Sequence, residues 1–233
     1  MQVEIWSDVV CPWCFIGKRR FETALGRFAH ADAVEVTWRS FELEPRAPRV
    51  RSEPLTEHLA TRYGVAHAEA RAMQDRMTSV AHGEGLQFRL DAARPGNTFD
   101  AHRLLHLARQ RGLQDAVKER FLAAYLTEGE AIGDPEVLIR LATQGGLPDE
   151  AARRVLSGDE HADAVRADEA AARSLGVNGV PFFVVDRAYG VSGAQPAEVL
   201  LELLEAVWAH SEPSSGVGGA PDGGACDDAS CDL

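Results

Sequence analysis

The chain has 233 residues, 45% of them apolar and 26% charged, which suits a soluble globular protein with a sizeable core. Its net charge of −12 argues against nucleic acid as a partner, since binding phosphate needs a basic face, and no apolar run is long enough to span a membrane. Arg is common, whereas Lys occurs only at Lys18 and Lys118, a skew that reads as coding bias in a G+C-rich genome.

In chain order, residues 3–6 set Val3 and Ile5 on one side against Glu4 and Trp6 on the other and read as a strand. After the loop 7–10, Pro12 suits the first turn of a helix, where its missing N–H costs nothing. That helix is predicted to run to about residue 30, with Phe21, Leu25 and Phe28 on one face. A second strand over 33–41, with Val34, Val36 and Trp38 on one side, completes a βαβ unit. Pro45, Pro48 and Pro54 then mark a linker.

From about 54 to 157 the pattern is helical. A helix over 66–83 carries Met73, Met77 and Val80, read as core filler. One from Thr98, behind Asn97 as its N-cap, carries Leu104, Leu105 and Ala108, and one over 114–127 carries Val117, Phe121 and Tyr125. Pro135 and Pro148 read as first-turn prolines of two more. A helix over 160–174 leads to a buried strand (180–186) and a pairing strand (189–194). A final helix over 195–210 follows, with Val199, Leu203, Ala206 and Val207 inward. Residues 211–233, rich in Gly, Pro, Ser and Asp, bury too little apolar surface to fold alone.

The expected fold class is therefore α/β: a thioredoxin-type βαβ–αββα layout interrupted by a large all-helical insertion. The first part is 1–45, the insertion 46–157, the second part 158–210, and an acidic tail 211–233 closes the chain.

The stretch CPWC offers three readings: a disulfide staple, half of a metal site, or a reactive dithiol. The start MQVEIWSDVV lacks a basic segment followed by an apolar one, so a cytoplasmic location is expected, where structural disulfides are rare. So short a loop would also constrain little. A zinc site needs a second ligand pair, and the other cysteines, Cys226 and Cys231, sit in the tail with a looser spacing of four intervening residues, so no metal is expected. The dithiol reading fits best, because a cysteine at a helix start meets unpaired amides and the positive end of the helix dipole. Such thiols have pKa values of roughly 3.5–7.5. Cys11 is expected to be the low-pKa attacking thiol, and Cys14, deeper and with a higher pKa, to resolve the mixed disulfide. Pro12 and Trp13 shape the turn and the apolar surface beside the sulfur. The Val180-Pro181 peptide heads a buried strand. It is either a simple strand-start proline or a cis bond presenting the Val180 backbone to Cys11, and the CPWC motif favours cis.

Six segments together resemble the DsbA-like thioredoxin-fold proteins of the FrnE type, in one collinear order over residues 2–208: IWSDVVCPWCFIGKRRFE, FELEP, NTFDAHRLLHLA, AYLTEGEAIGDPEVL, LGVNGVPFFVVD and VSGAQP. The resemblance implies a thioredoxin fold with a helical insertion and a cytosolic thiol:disulfide oxidoreductase or isomerase, with Cys11 attacking, Cys14 resolving and Pro181 cis. It implies no metal or organic cofactor. Partners would be thiol or disulfide client proteins together with a reductase or a low-molecular-weight thiol, glutathione being the candidate co-substrate. Some members carry a second C-x4-C pair in the tail, which CDDASC matches. Cys226 and Cys231 then read as a second redox pair, against the plainer reading of incidental cysteines. A tether of about 15 residues spans roughly 20 Å on average and near 50 Å stretched, enough to reach the active-site face. Asp227, Asp228 and Asp232 should keep those thiols protonated.

The related 2-hydroxychromene-2-carboxylate isomerases and kappa-type glutathione transferases typically place serine where this chain has Cys11. The alternative function is accordingly a glutathione-dependent small-molecule isomerase or transferase, polyketide-related chemistry included. Phe41, Asn97 and His102 are its candidate substrate-facing residues, each also readable as core, helix cap and packed histidine respectively. A third reading is a client-binding protein that needs neither active-site cysteine.

Overall fold

The computed structural model describes residues 1–211. Strand β1 (Gln2–Ser7), helix α1 (Pro12–Arg27) and strand β2 (Glu35–Ser40) form the first unit. Seven helices follow: α2 (Leu55–Tyr63), α3 (His67–Gly83), α4 (Phe99–Gln110), α5 (Gln114–Ala123), α6 (Pro135–Gln144), α7 (Asp149–Ser157) and α8 (Ala162–Ser174). Strands β3 (Phe182–Val185) and β4 (Tyr189–Ser192) and helix α9 (Ala197–Ser211) complete the described chain.

The four strands lie in the order β2-β1-β3-β4. β1 and β2 run parallel, with Ile5 opposite Trp38, as the α1 crossover between them requires. β3 returns antiparallel to β1, with Phe183 opposite Ile5, and β4 pairs antiparallel with β3. Asp186 and Arg187 make that turn with positive φ of 47° and 57°.

Helices α1 and α9 cover one face of the sheet, burying Val3, Ile5, Phe21, Trp38, Phe183 and Leu204 in a common core. On the other face Trp6 and Val184 meet Ala172 of α8. A larger core joins α3 to α7, and Phe15 and Ile16 from the start of α1 belong to it. One helix thus contributes to two cores, which fixes its first turn where they meet.

The structure corrects several details. The inward face of α9 is Leu200, Leu204 and Val207; Val199 and Ala206 are exposed. Its apolar residues run almost all the way round, so spacing alone does not select the face. Pro148 is the N-cap of α7 rather than its first residue, while Pro135 does start α6 behind Asp134, whose side chain accepts from Glu136 N and Val137 N. The helix expected over 114–127 breaks at Ala123 and continues as a π turn, Ala124–Glu128.

Candidate active site

Cys11 is the N-cap of α1 and Pro12 its first residue. The Cys11 carbonyl accepts hydrogen bonds from Cys14 N (3.0 Å) and Phe15 N (3.4 Å), which sets the two cysteines one turn apart. Both are free thiols; Cys11 is 4% exposed and Cys14 fully buried. Trp13 stands out between them, 41% exposed.

The Val180-Pro181 bond is cis. The Val180 carbonyl accepts from Cys11 Sγ at 3.5 Å, and Pro181 O accepts from Gly193 N, tying the site to the end of β4. Gly17 explains itself here, because a Cβ on it would sit 2.8 Å from Pro181 Cγ. Glycine inside a helix costs about 1 kcal/mol relative to alanine, and this close approach is the reason for bearing it.

Beneath the dithiol lies a set of buried charges. Asp8 Oδ2 accepts from Leu43 N (2.8 Å), and Oδ1 lies 3.3 Å from His102 Nε2. Burial alone would raise the Asp8 carboxyl; His102, the Leu43 amide and the charge of Lys118 outweigh it and hold the pKa below the ordinary value. Lys118 is fully buried, donates to Ser7 O (3.2 Å) and faces the Trp38 ring at 5.6 Å. Burial brings its ammonium down to about 8, against the opposing pull of Cys14 and Asp8. Lys18 faces the same ring at 5.9 Å and pairs with Glu22, Asp115 and Glu119. Both lysines of the chain are therefore buried around Trp38, and their scarcity was itself a signal of the site that reading them as coding bias passed over.

The two thiols sit close enough to share a proton, so they titrate as a pair. The Cys11 proton is shared with Cys14, and that hydrogen bond, with burial, pushes Cys11 well above the ordinary thiol value. Burial also opposes ionising Cys14, but the Cys11 hydrogen bond and Lys118 overcome it and lower its pKa. Ser7 Oγ helps from close by, although it is buried without a fully formed hydrogen bond. The helix start favours a Cys11 thiolate as expected, but the acceptor Val180 O and the Asp8 charge work against it. Negative charge on the pair is thus drawn inward, toward Lys118.

Cys11 also borders a cavity of about 300 Å³ between the first turn of α1 and helices α2 and α3. Met73 and Met77 line it, so the methionine line read as core filler is in part a cavity wall. Tyr125, on the π turn, forms another part; π turns recur at functional sites.

Phe41, Asn97 and His102 do not line this cavity. Phe41 packs on the Trp6–Val184 cluster. Asn97 accepts from Phe99 N and donates to Glu42 at the start of α4, one residue ahead of the N-cap Thr98. His102 is buried behind Asp8. Ser40, His106 and Asp168 come together, but one nitrogen, His106 Nε2, meets both partners (3.1 and 3.2 Å), so they do not form a hydrolytic relay. Among the described residues no group of three or more His, Cys, Asp or Glu is placed to hold a metal, and no helix is long and apolar enough to cross a membrane. Cys226 and Cys231 lie outside the described residues.

Residues 2–205 match the DSBA-like thioredoxin domain family. A probable DsbA oxidoreductase from Streptomyces coelicolor is 45% identical, with 98% of this chain and 100% of that one covered and a TM-score of 0.87. The cytosolic disulfide reductase DsbM of Pseudomonas aeruginosa shares 18% identity, a TM-score of 0.62 and coverage of 91% and 100%. A 2-hydroxychromene-2-carboxylate isomerase shares 14% identity, a TM-score of 0.60 and coverage of 90% and 95%. The last two show a common fold.

Proposed function

Because the chain belongs to the DsbA-like thioredoxin domain family, we propose that it is a cytosolic thiol:disulfide oxidoreductase working through Cys11 and Cys14. The observation that carries the reading is the unequal dithiol. Cys11 borders a cavity and donates to Val180 O, while Cys14 lies behind it against buried Lys118.

The shared proton passes from Cys11 to Cys14 as the Cys11 thiolate attacks a substrate disulfide, forming a mixed disulfide and releasing one substrate thiol. Cys14 then loses its proton, its thiolate stabilised by the Lys118 ammonium, and attacks the Cys11 sulfur. The second substrate thiol leaves, and the protein holds a Cys11–Cys14 disulfide that a reductase or a low-molecular-weight thiol returns to the dithiol. Cys226 and Cys231 would exchange with this pair, so a chain ending at residue 210 should be re-reduced more slowly.

Cys11→Ser should abolish insulin-disulfide reduction, while Cys14→Ser should accumulate mixed disulfides; full activity in Cys11→Ser would overturn the proposal. A second reading, a glutathione-dependent isomerase, rests on the fold shared with the 2-hydroxychromene-2-carboxylate isomerase. Saturable glutathione binding and turnover that survives Cys14→Ser would favour it.

A further inference from the structure

The cavity beside Cys11 has a chemical character of its own. Its wall is built mainly from Leu43, Leu55, Leu59, Met73, Met77 and Leu90, and the rings of Trp13 and Tyr63, 41% and 54% exposed, stand at its edge. Thioethers adapt their shape to a ligand, and exposed aromatic rings offer stacking faces. An apolar cavity of about 150 Å³ holds a benzene-sized molecule, so one of about 300 Å³ has room for roughly two such rings.

The charged groups on the wall are already paired within the protein. Arg51 pairs with Glu44 and Glu53, Arg62 with Glu44, and His58 with both glutamates. Asp8 is taken by His102 and the Leu43 amide. Glutathione carries two carboxylates and an ammonium, and this wall leaves them no free counter-charge; burying them unpaired is costly. Two hydroxyls remain, those of Tyr125 and Thr98. Both residues are buried and line the cavity, and neither hydroxyl has a hydrogen-bond partner among the described residues.

On the basis of the dithiol reading above, we infer that the substrate class is a neutral low-molecular-weight disulfide with an apolar, ring-sized body, seated in this cavity with its S–S bond at Cys11. Cys11 displaces one thiol and stays joined to the seated half. Cys14 then displaces that half, so that one disulfide and one dithiol become two substrate thiols and the Cys11–Cys14 disulfide. The seated half binds through apolar contact and a hydrogen bond to Tyr125 or Thr98.

The test is single-turnover oxidation of the reduced full-length protein by dibenzyl disulfide, bis(2-hydroxyethyl) disulfide, glutathione disulfide and insulin. Each rate constant is divided by that of free dithiothreitol with the same oxidant. The normalised rate should be highest for dibenzyl disulfide, by roughly tenfold or more over glutathione disulfide. Met73→Trp, which fills part of the cavity from α3, should remove that preference by lowering the dibenzyl disulfide rate several-fold. Leu59→Trp does the same from the other helix, should Met73→Trp fail to fold. Equal rates, a preference for glutathione disulfide or for insulin, or a preference that survives in both folded variants would each overturn the inference. No reaction with any of the four would instead overturn the dithiol reading itself.

Discussion

At the residue scale, the chemistry of the site rests on a few buried groups that offset one another. Lys118 is the clearest case, because its ammonium is kept in the interior by Cys14, Asp8 and the Trp38 ring although burial drives it toward neutrality. Lys118→Met keeps the side-chain length and removes the charge. The lower of the two dithiol pKa values should then rise by about one unit or more, read as thiolate absorbance against pH. An unchanged titration would mean that Lys118 only fills space. Much of this was legible in the sequence: CPWC named the dithiol, and Val180-Pro181 named the facing segment. The pull of Lys118 on Cys14 was not, because it depends on a lysine about a hundred residues away, which leaves no local pattern.

At the scale of elements, α1 is the part that locates the site. Its first turn packs into the helical core through Phe15 and Ile16, and its middle packs into the sheet core through Phe21. Gly17 lies between these regions, under Pro181. Gly17→Ala would improve the intrinsic helix propensity by about 1 kcal/mol, yet the added methyl must displace a proline ring 2.8 Å away. Steric overlap should win. The expected outcome is a loss of about 1–3 kcal/mol in urea unfolding and a several-fold slower disulfide exchange, as Val180 O shifts away from Cys11. Helix positions followed from periodicity, whereas β3, buried on both faces, was marked by its continuous apolar run. The face of α9 and the π turn after α5 did not follow from periodicity: the first has apolar residues nearly all round, and the second is decided by packing.

At the scale of the whole molecule, the loop after β2 is tied to α8 by a carboxyl pair. Glu42 is fully buried in its side chain, and Arg166 Nη1 lies 2.8 Å from both Glu42 and Glu169. Asn97 adds a hydrogen bond to Glu42 from the head of α4. With both carboxyls ionised, two charges face one guanidinium, and Glu169 Oε1 is buried without a partner. Burial and Glu169 raise Glu42 from 4.5 to about 7. The sign follows from proton counting. Below 4.5 both folded and unfolded chains hold the proton, and the site costs nothing. Between 4.5 and 7 the folded chain binds more protons, so stability falls as pH rises, and above 7 the full cost is present. Glu42→Gln should therefore stabilise the protein at pH 8 by on the order of 2 kcal/mol and by little at pH 4, measured by urea unfolding at both. An equal effect at the two pH values would place the cost elsewhere.

The two lysines have a consequence for chemistry done on the molecule from outside. Each is at most 2% exposed, and the chain has no others. Acylating or amine-crosslinking reagents thus find no lysine side chain on the native surface, and modification of Lys18 or Lys118 requires the chain to open. The pair forms an internal clock for opening: the rate at which they become labelled reports exposure of the ground around Trp38, read by mass with no introduced probe.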